Sequence, residues 1–144
     1  MLGVVYNLPF LFTGKPKEAI ICLRKSISSA PTSYKHLGLL SLANVFHRTH
    51  NSQDAVATLQ LALQYAPDNP AIYFTMGNVF ATLMQFNNSA KSYADALRIQ
   101  PEFEAARSRK HAVLCHHKLE QALEEQHRSL EATLNELRDV DIAQ

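Results

Sequence analysis

The sequence predicts an all-α chain: a solenoid of antiparallel helix pairs closed by one long C-terminal helix. Three observations carry that expectation. Pro31, Pro67 and Pro101 each end an apolar helical stretch, and they stand 36 and 34 residues apart. A fixed pattern of small and large residues precedes each proline. The stretch after Pro101 then runs to the end of the chain with neither proline nor glycine. With only 4 glycines and 6 prolines in 144 residues, the composition favours helices joined by short loops over a turn-rich sheet.

Taken in order, the first unit is the weakest. Gly14-Lys-Pro-Lys-Glu-Ala19 fits a turn and a helix start, and Ala19, Leu23 and Ser26 occupy the small–large–small positions before Pro31. Its first half, LGVVYNLPFLF, carries Pro9 where a helix interior is needed, at a cost of about 3 kcal/mol. This apolar end also lacks a polar cap. These features suggest a fragment or short isoform of a longer array, or an N-terminus that docks on a partner. Two extra residues near Thr32–Lys35 predict a longer loop. The second unit is predicted as helices over 36–49 and 53–66, with Leu42, Ala43 and Phe46 in the first and Ala55, Leu59 and Ala62 in the second. The third is predicted over 70–84 and 88–100, with Tyr73, Met76, Gly77 and Phe80 and then Ser89, Tyr93 and Ala96. Small side chains let paired helices approach, and large ones fill the space between units. Ser52 and Asn87 or Asn88 are the expected N-caps. Asn87-Asn88-Ser89 also has the form of a glycosylation acceptor, but without a secretory signal it reads as a cap.

One helix is expected over about 102–138. Ala105, Ala106, Ala112 and Val113 are placed to cover the last repeat. Beyond them Leu123, Leu130 and Leu137 lie seven apart, Leu119 falls on the other seam position, and Glu124–Arg128 is an i,i+4 ion-pair spacing. This stretch fits either a short coiled coil, with self-association or a helical partner through Leu119, Leu123, Leu130 and Leu137, or a solvated amphipathic helix.

The 34-residue period and the residues Leu42-Ala43…Phe46, Met76-Gly77…Phe80 and their partners before each proline resemble the tetratricopeptide repeat family over roughly residues 1–103. The resemblance implies residues 1–35 as an incomplete repeat, 36–69 and 70–103 as complete ones, and 104–144 as a capping helix with a short frayed tail. The runs RKHAVLC, KLEQ, QHRSL and TLNEL look like the C-terminal part of one much longer member of the family. That likeness implies an adaptor role in actin filament organisation and cilium assembly, with a cytoplasmic, cytoskeleton-associated location.

Solenoids usually bind on the face lined by the first helix of each pair. The helical pattern places Leu40, Asn44, His47 and Arg48 there from one repeat, Phe74, Asn78 and Ala81 from the next, and Arg109 from the last helix. Asn44 and Asn78 recur at matching places and could bind a peptide backbone. Some family members hold the C-terminal carboxylate of heat-shock chaperones with a Lys-Asn-Asn-Lys-Arg set. Asn44 and Arg109 fit that set here, whereas Leu40, Thr75 and Ala105 replace the other three members, which argues against a co-chaperone-like peptide binder.

No catalytic arrangement stands out. The chain has no Gly-rich phosphate loop, and Glu18, Asp54, Asp68, Asp95 and Glu102 read as turn, cap and surface charges. The expectation is a non-enzymatic chain with no cofactor. His111 and Cys115 have i,i+4 ligand spacing, joined by His116 or His117, but zinc needs three or four ligands in tetrahedral array, so a solvated helix face is expected. His47 and His50 get the same reading. A net charge of +1 gives no general attraction to nucleic acid, and the short basic run Arg107-Ser-Arg109-Lys110 is offset by the acidic stretch that follows. Two distant cysteines, Cys22 and Cys115, form no disulfide framework and suit a reducing compartment. No apolar run approaches the length of a membrane span.

Overall fold

The computed structural model describes residues 14–144, so Pro9 and the rest of the apolar first segment lie outside the described residues. Among these residues there are six α-helices and no strand. They are α1 (Pro16–Ser29), α2 (Lys35–Arg48), α3 (Ser52–Tyr65), α4 (Pro70–Thr82), α5 (Phe86–Ile99) and α6 (Glu104–Ala143). Each helix packs on the next in sequence, and α2 also touches α4, as stacked hairpins require. The insertion near Thr32 is taken up by a single 3₁₀ turn, Thr32–Tyr34.

The small residues do what close approach demands. Ala43, Ala55, Ala62, Ser89 and Ala96 are wholly buried. Gly77 is the tightest point: a Cβ there would sit 2.5 Å from Cε1 of Tyr93. The Ser89 hydroxyl donates to the Gly77 carbonyl at 2.7 Å, tying α5 to α4 at the same level. Gly38 plays the equivalent part at the α1–α2 contact, where a Cβ would meet Cγ1 of Ile27 at 2.6 Å. One apolar core runs from Ala19 and Leu23 through Leu42, Phe46 and Leu59 to Ile72 and Val79. A second joins Phe86, Tyr93 and Ala96 to Ala106 and Val113 of α6, with Tyr73, Phe74 and Phe103 against it.

The turns within the two complete repeats are alike. His50 (φ 63°) and Met84 (φ 59°) are both left-handed, and they stand 34 residues apart. Around His50, the N–H of Asn51 reaches back to the carbonyl of Phe46 at 2.8 Å, and the N–H of His50 reaches that of His47 at 3.2 Å. Gln85 to Phe80 at 2.9 Å and Met84 to Ala81 at 3.0 Å repeat the pattern. This is the Schellman closure of a helix C-terminus, which glycine normally serves.

The predicted caps are corrected. Ser52 is the first residue of α3 and is buried; Asn51 stands at the cap position, and its side-chain amide goes to Thr49 Oγ1 at 3.1 Å. Helix α5 starts at Phe86, earlier than expected, so Asn87 and Asn88 lie inside its first turn and Gln85 occupies the cap without a side-chain bond. Burying Phe86 against α6 draws the helix start forward. A side-chain cap does form at α4, where Asn69 Oδ1 accepts from the N–H of Ala71 at 3.0 Å ahead of Pro70.

Helix α6 runs for 40 residues, to Ala143. Only its first half touches the solenoid. Ala106 and Val113 are buried, whereas Ala105 and Ala112 are exposed, because the covering stripe is 106, 110, 113, 117 and 120. From Gln121 onward every residue is exposed. The expected Glu124–Arg128 ion pair is replaced by a longer bond from Arg128 Nε to the Glu124 carbonyl at 3.4 Å.

Candidate protein-binding groove

The candidate groove residues divide into two groups. On α2, Leu40, Asn44, His47 and Arg48 are spaced to share one face; Leu40 and His47 are half-buried, Asn44 and Arg48 exposed. Burial keeps the His47 imidazole below its ordinary pKa, and the neighbouring His50 charge adds to this. Neither α2 nor α4 contains an Asp or Glu, so this wall carries positive or neutral groups alone.

The second group is drawn together by Tyr93. Phe74, Asn78 and Ala81 are half-buried on α4. The Tyr93 hydroxyl, itself nearly buried, donates to Asn78 Oδ1 at 2.7 Å. The Phe74 ring lies 5.8 Å from that of Tyr93 and 4.8 Å from that of Phe103. Arg109, reaching in from α6, places its guanidinium 5.7 Å from the Phe74 centroid, a cation–π contact. Burial raises the Tyr93 pKa, against the opposing hydrogen bonding of Ser89 and the Arg109 charge. The phenol therefore remains a neutral donor.

Asn44 and Asn78 are thus not equivalent, despite their matching sequence places. Asn44 is exposed; the Asn78 side chain already has a partner. Phe103 and Tyr93 join this cluster and are not among the candidate groove residues. Phe103 is the N-cap of α6, within the span predicted as one helix over 102–138, and Tyr93 lies on a second helix, so a rule that selects the first helix of each pair passes over both.

Other candidates are placed as follows. Thr75 is buried with its hydroxyl on the Ala71 carbonyl at 2.9 Å, Leu40 is half-buried and Ala105 is exposed, so the chaperone-type set lacks charge at these positions. Cys115 Sγ lies 3.6 Å from His111 Nε2 on exposed helix surface. His116 and His117 turn instead toward Phe86, with centroids at 4.9 and 6.2 Å. Among the described residues no group of three or more His, Cys, Asp or Glu is placed to hold a metal. Arg107 pairs with Glu104 and the Pro101 carbonyl, which removes it from any basic patch. No helix among the described residues is long and apolar enough to cross a membrane. Two open depressions, of about 370 and 250 Å³, lie outside the groove, around Phe86, His117 and Glu120 and around Phe80, Lys91 and Ser92.

No family model matches the chain. It is 43% identical over 139 residues to tetratricopeptide repeat protein 17 of Danio rerio, and 42% identical to the protein of that name from Homo sapiens. Each match covers 94% of this chain and 12% of the relative, so the chain spans a small part of those proteins. In fold it is similar to the Hsp90 co-chaperone Cns1 from Saccharomyces cerevisiae, with TM-score 0.82 at 18% identity over 92% of this chain and 43% of that one. It is also similar to the first TPR of Spaghetti (RPAP3) bound to HSP90 peptide SRMEEVD, with TM-score 0.72 at 19% identity over 80% and 90%. These likenesses show the fold.

Proposed function

We propose, from the premise that the chain belongs to the tetratricopeptide-repeat proteins, that it is a non-enzymatic scaffold that holds an extended peptide of a partner protein along α2, α4 and the start of α6. The observation that carries this reading is the pair of exposed polar groups on an acid-free wall, Asn44 and Arg48, continued by Arg109 over Phe74. Asn44 offers both a donor and an acceptor to a peptide backbone. Arg48 and Arg109 favour acidic side chains at either end. The apolar Leu40, Ala81 and Phe74 take apolar side chains between them.

The likeness to tetratricopeptide repeat protein 17 supports a cytoplasmic adaptor role in actin filament organisation and cilium assembly. A chaperone carboxylate clamp is disfavoured, although the Spaghetti (RPAP3) domain binds an HSP90 peptide, because Leu40, Thr75 and Ala105 supply no charge or amide here.

The test is selection of binding peptides from a display library on the intact chain, followed by titration against Asn44→Ala/Arg48→Ala. The double variant is expected to weaken a selected acidic peptide about 10-fold or more, as loss of a charge-assisted contact does. Asn78→Ala is a poor probe, because it also strands the buried Tyr93 hydroxyl. Selected peptides that bind the double variant as tightly as the wild type would remove the groove from the account.

A further inference from the structure

The second half of α6 leaves a helix without a partner. From Gln121 to Ala143 every residue is exposed, with Leu123 at 58%, Leu130 at 64% and Leu137 at 58%. Among the described residues this stretch holds one close histidine–carboxylate contact, His127 Nε2 to Glu131 Oε1 at 3.3 Å. A helix with so few side-chain pairs gains little from its own surface, and most helical stability in proteins comes from packing an amphipathic face.

We infer that α6 pairs with α6 of a second copy of this chain in an antiparallel two-stranded coil overlapping from Ala112 to Leu137. Charge selects the direction. Residues 104–118 hold four Lys/Arg and one Glu, while residues 119–144 hold two Arg and seven Asp/Glu. A parallel pair lays the acidic halves side by side and sets Glu136 against Asp141 of the partner. An antiparallel pair separates the acidic halves and lays each along residues 104–118 of the other copy, which hold a single Glu. The same acidic half disfavours an anionic membrane surface as the occupant, since that requires a basic polar face.

The heptad selects the register. With Leu123, Leu130 and Leu137 on one seam position and Ala112, Leu119, Gln126 and Val140 on the other, antiparallel layers alternate the two. Leu119 then meets Leu130 of the other copy, the small Ala112 meets Leu137, and Leu123 meets Gln126. The exposed edge of His116, whose other face lies against Phe86, meets polar Thr133. On the flanks Glu120 faces His127, and Cys115 faces Glu136. No like charges meet across these layers or these flanks. Leu119, Cys115 and His116 are all on exposed positions of α6.

The flank contact of Cys115 supplies the test. In full-length chain carrying Cys22→Ser and Glu136→Cys, mild oxidation is expected to give a covalent dimer joined between Cys115 and position 136. Cys22→Ser alone is expected to stay uncrosslinked, because the two Cys115 thiols are about 30 Å apart in this register, at 1.5 Å per residue of offset. Sedimentation of the wild-type chain is expected to show a concentration-dependent dimer, weakened at least 10-fold by Leu123→Asp/Leu130→Asp and weakened also by high salt. A wild-type chain that remains monomeric up to about 1 mM, the weak end of specific association, overturns the inference. So does a dimer that crosslinks through Cys115 alone and not through position 136.

Discussion

Single residues decide how tightly the repeats close. His50 and Met84 hold left-handed backbone at the same point of two turns, where an L side chain costs about 1–2 kcal/mol and glycine does not. Glycine loses some of that gain to its greater freedom when unfolded, about 0.5–1 kcal/mol. His50→Gly and Met84→Gly are therefore each expected to stabilise the fold by roughly 0.5–1 kcal/mol, read as a thermal midpoint raised by about 2–4 °C. Unchanged or lowered midpoints in both would mean that the side chains contribute contacts that offset the backbone strain. Gly77 is the opposite case. Its Cα–H faces the Tyr93 ring, and three ring atoms would lie within 3 Å of an added Cβ. Gly77→Ala would gain about 1 kcal/mol of helix propensity and lose about 1–3 kcal/mol to overpacking, for a net loss.

At the scale of elements, the long last helix combines two environments. Its first half covers Phe86 and Tyr93 and closes the second core; its second half touches nothing in the solenoid. Ending the chain after Glu120 should leave the unfolding midpoint within about 2 °C of the intact chain, in dilute protein where pairing of copies is absent. Ending it at Phe103 strips the cover from that core and should cost several kcal/mol, as an uncapped solenoid end does. Equal losses from both truncations would show that the distal half supports the solenoid. Helix order and the buried small residues could be read in the sequence because both follow from a fixed period: Ala55, Ala62 and Ala96 recur where two backbones must approach. The caps could not. Ser52 and Asn88 have cap chemistry, but Phe86 and the Schellman turns place the helix starts earlier, and tertiary burial outweighs a capping bond of about 1 kcal/mol. The choice among Ala105, Ala106, Ala112 and Val113 likewise depends on the rotation of α6, which its contact with Phe86 and Phe103 sets.

At the scale of the whole molecule, two α-helical repeats present a wall without acidic residues, and α6 completes it with Arg109. The candidate residues were partly legible: the first-helix rule picks out Asn44, Arg48 and Phe74. It does not reveal that Tyr93 from the second helix engages Asn78, because that bond joins residues 15 apart across a hairpin. The central claim is that partner peptides lie along this wall. The most direct measurement is amide chemical-shift mapping of the intact chain with a selected acidic peptide. The account predicts shifts concentrated at Asn44, His47 and Arg48, at Phe74 and Ala81, and at Arg109. Shifts confined to the outer helices α3 and α5, with the wall unaffected, would contradict it.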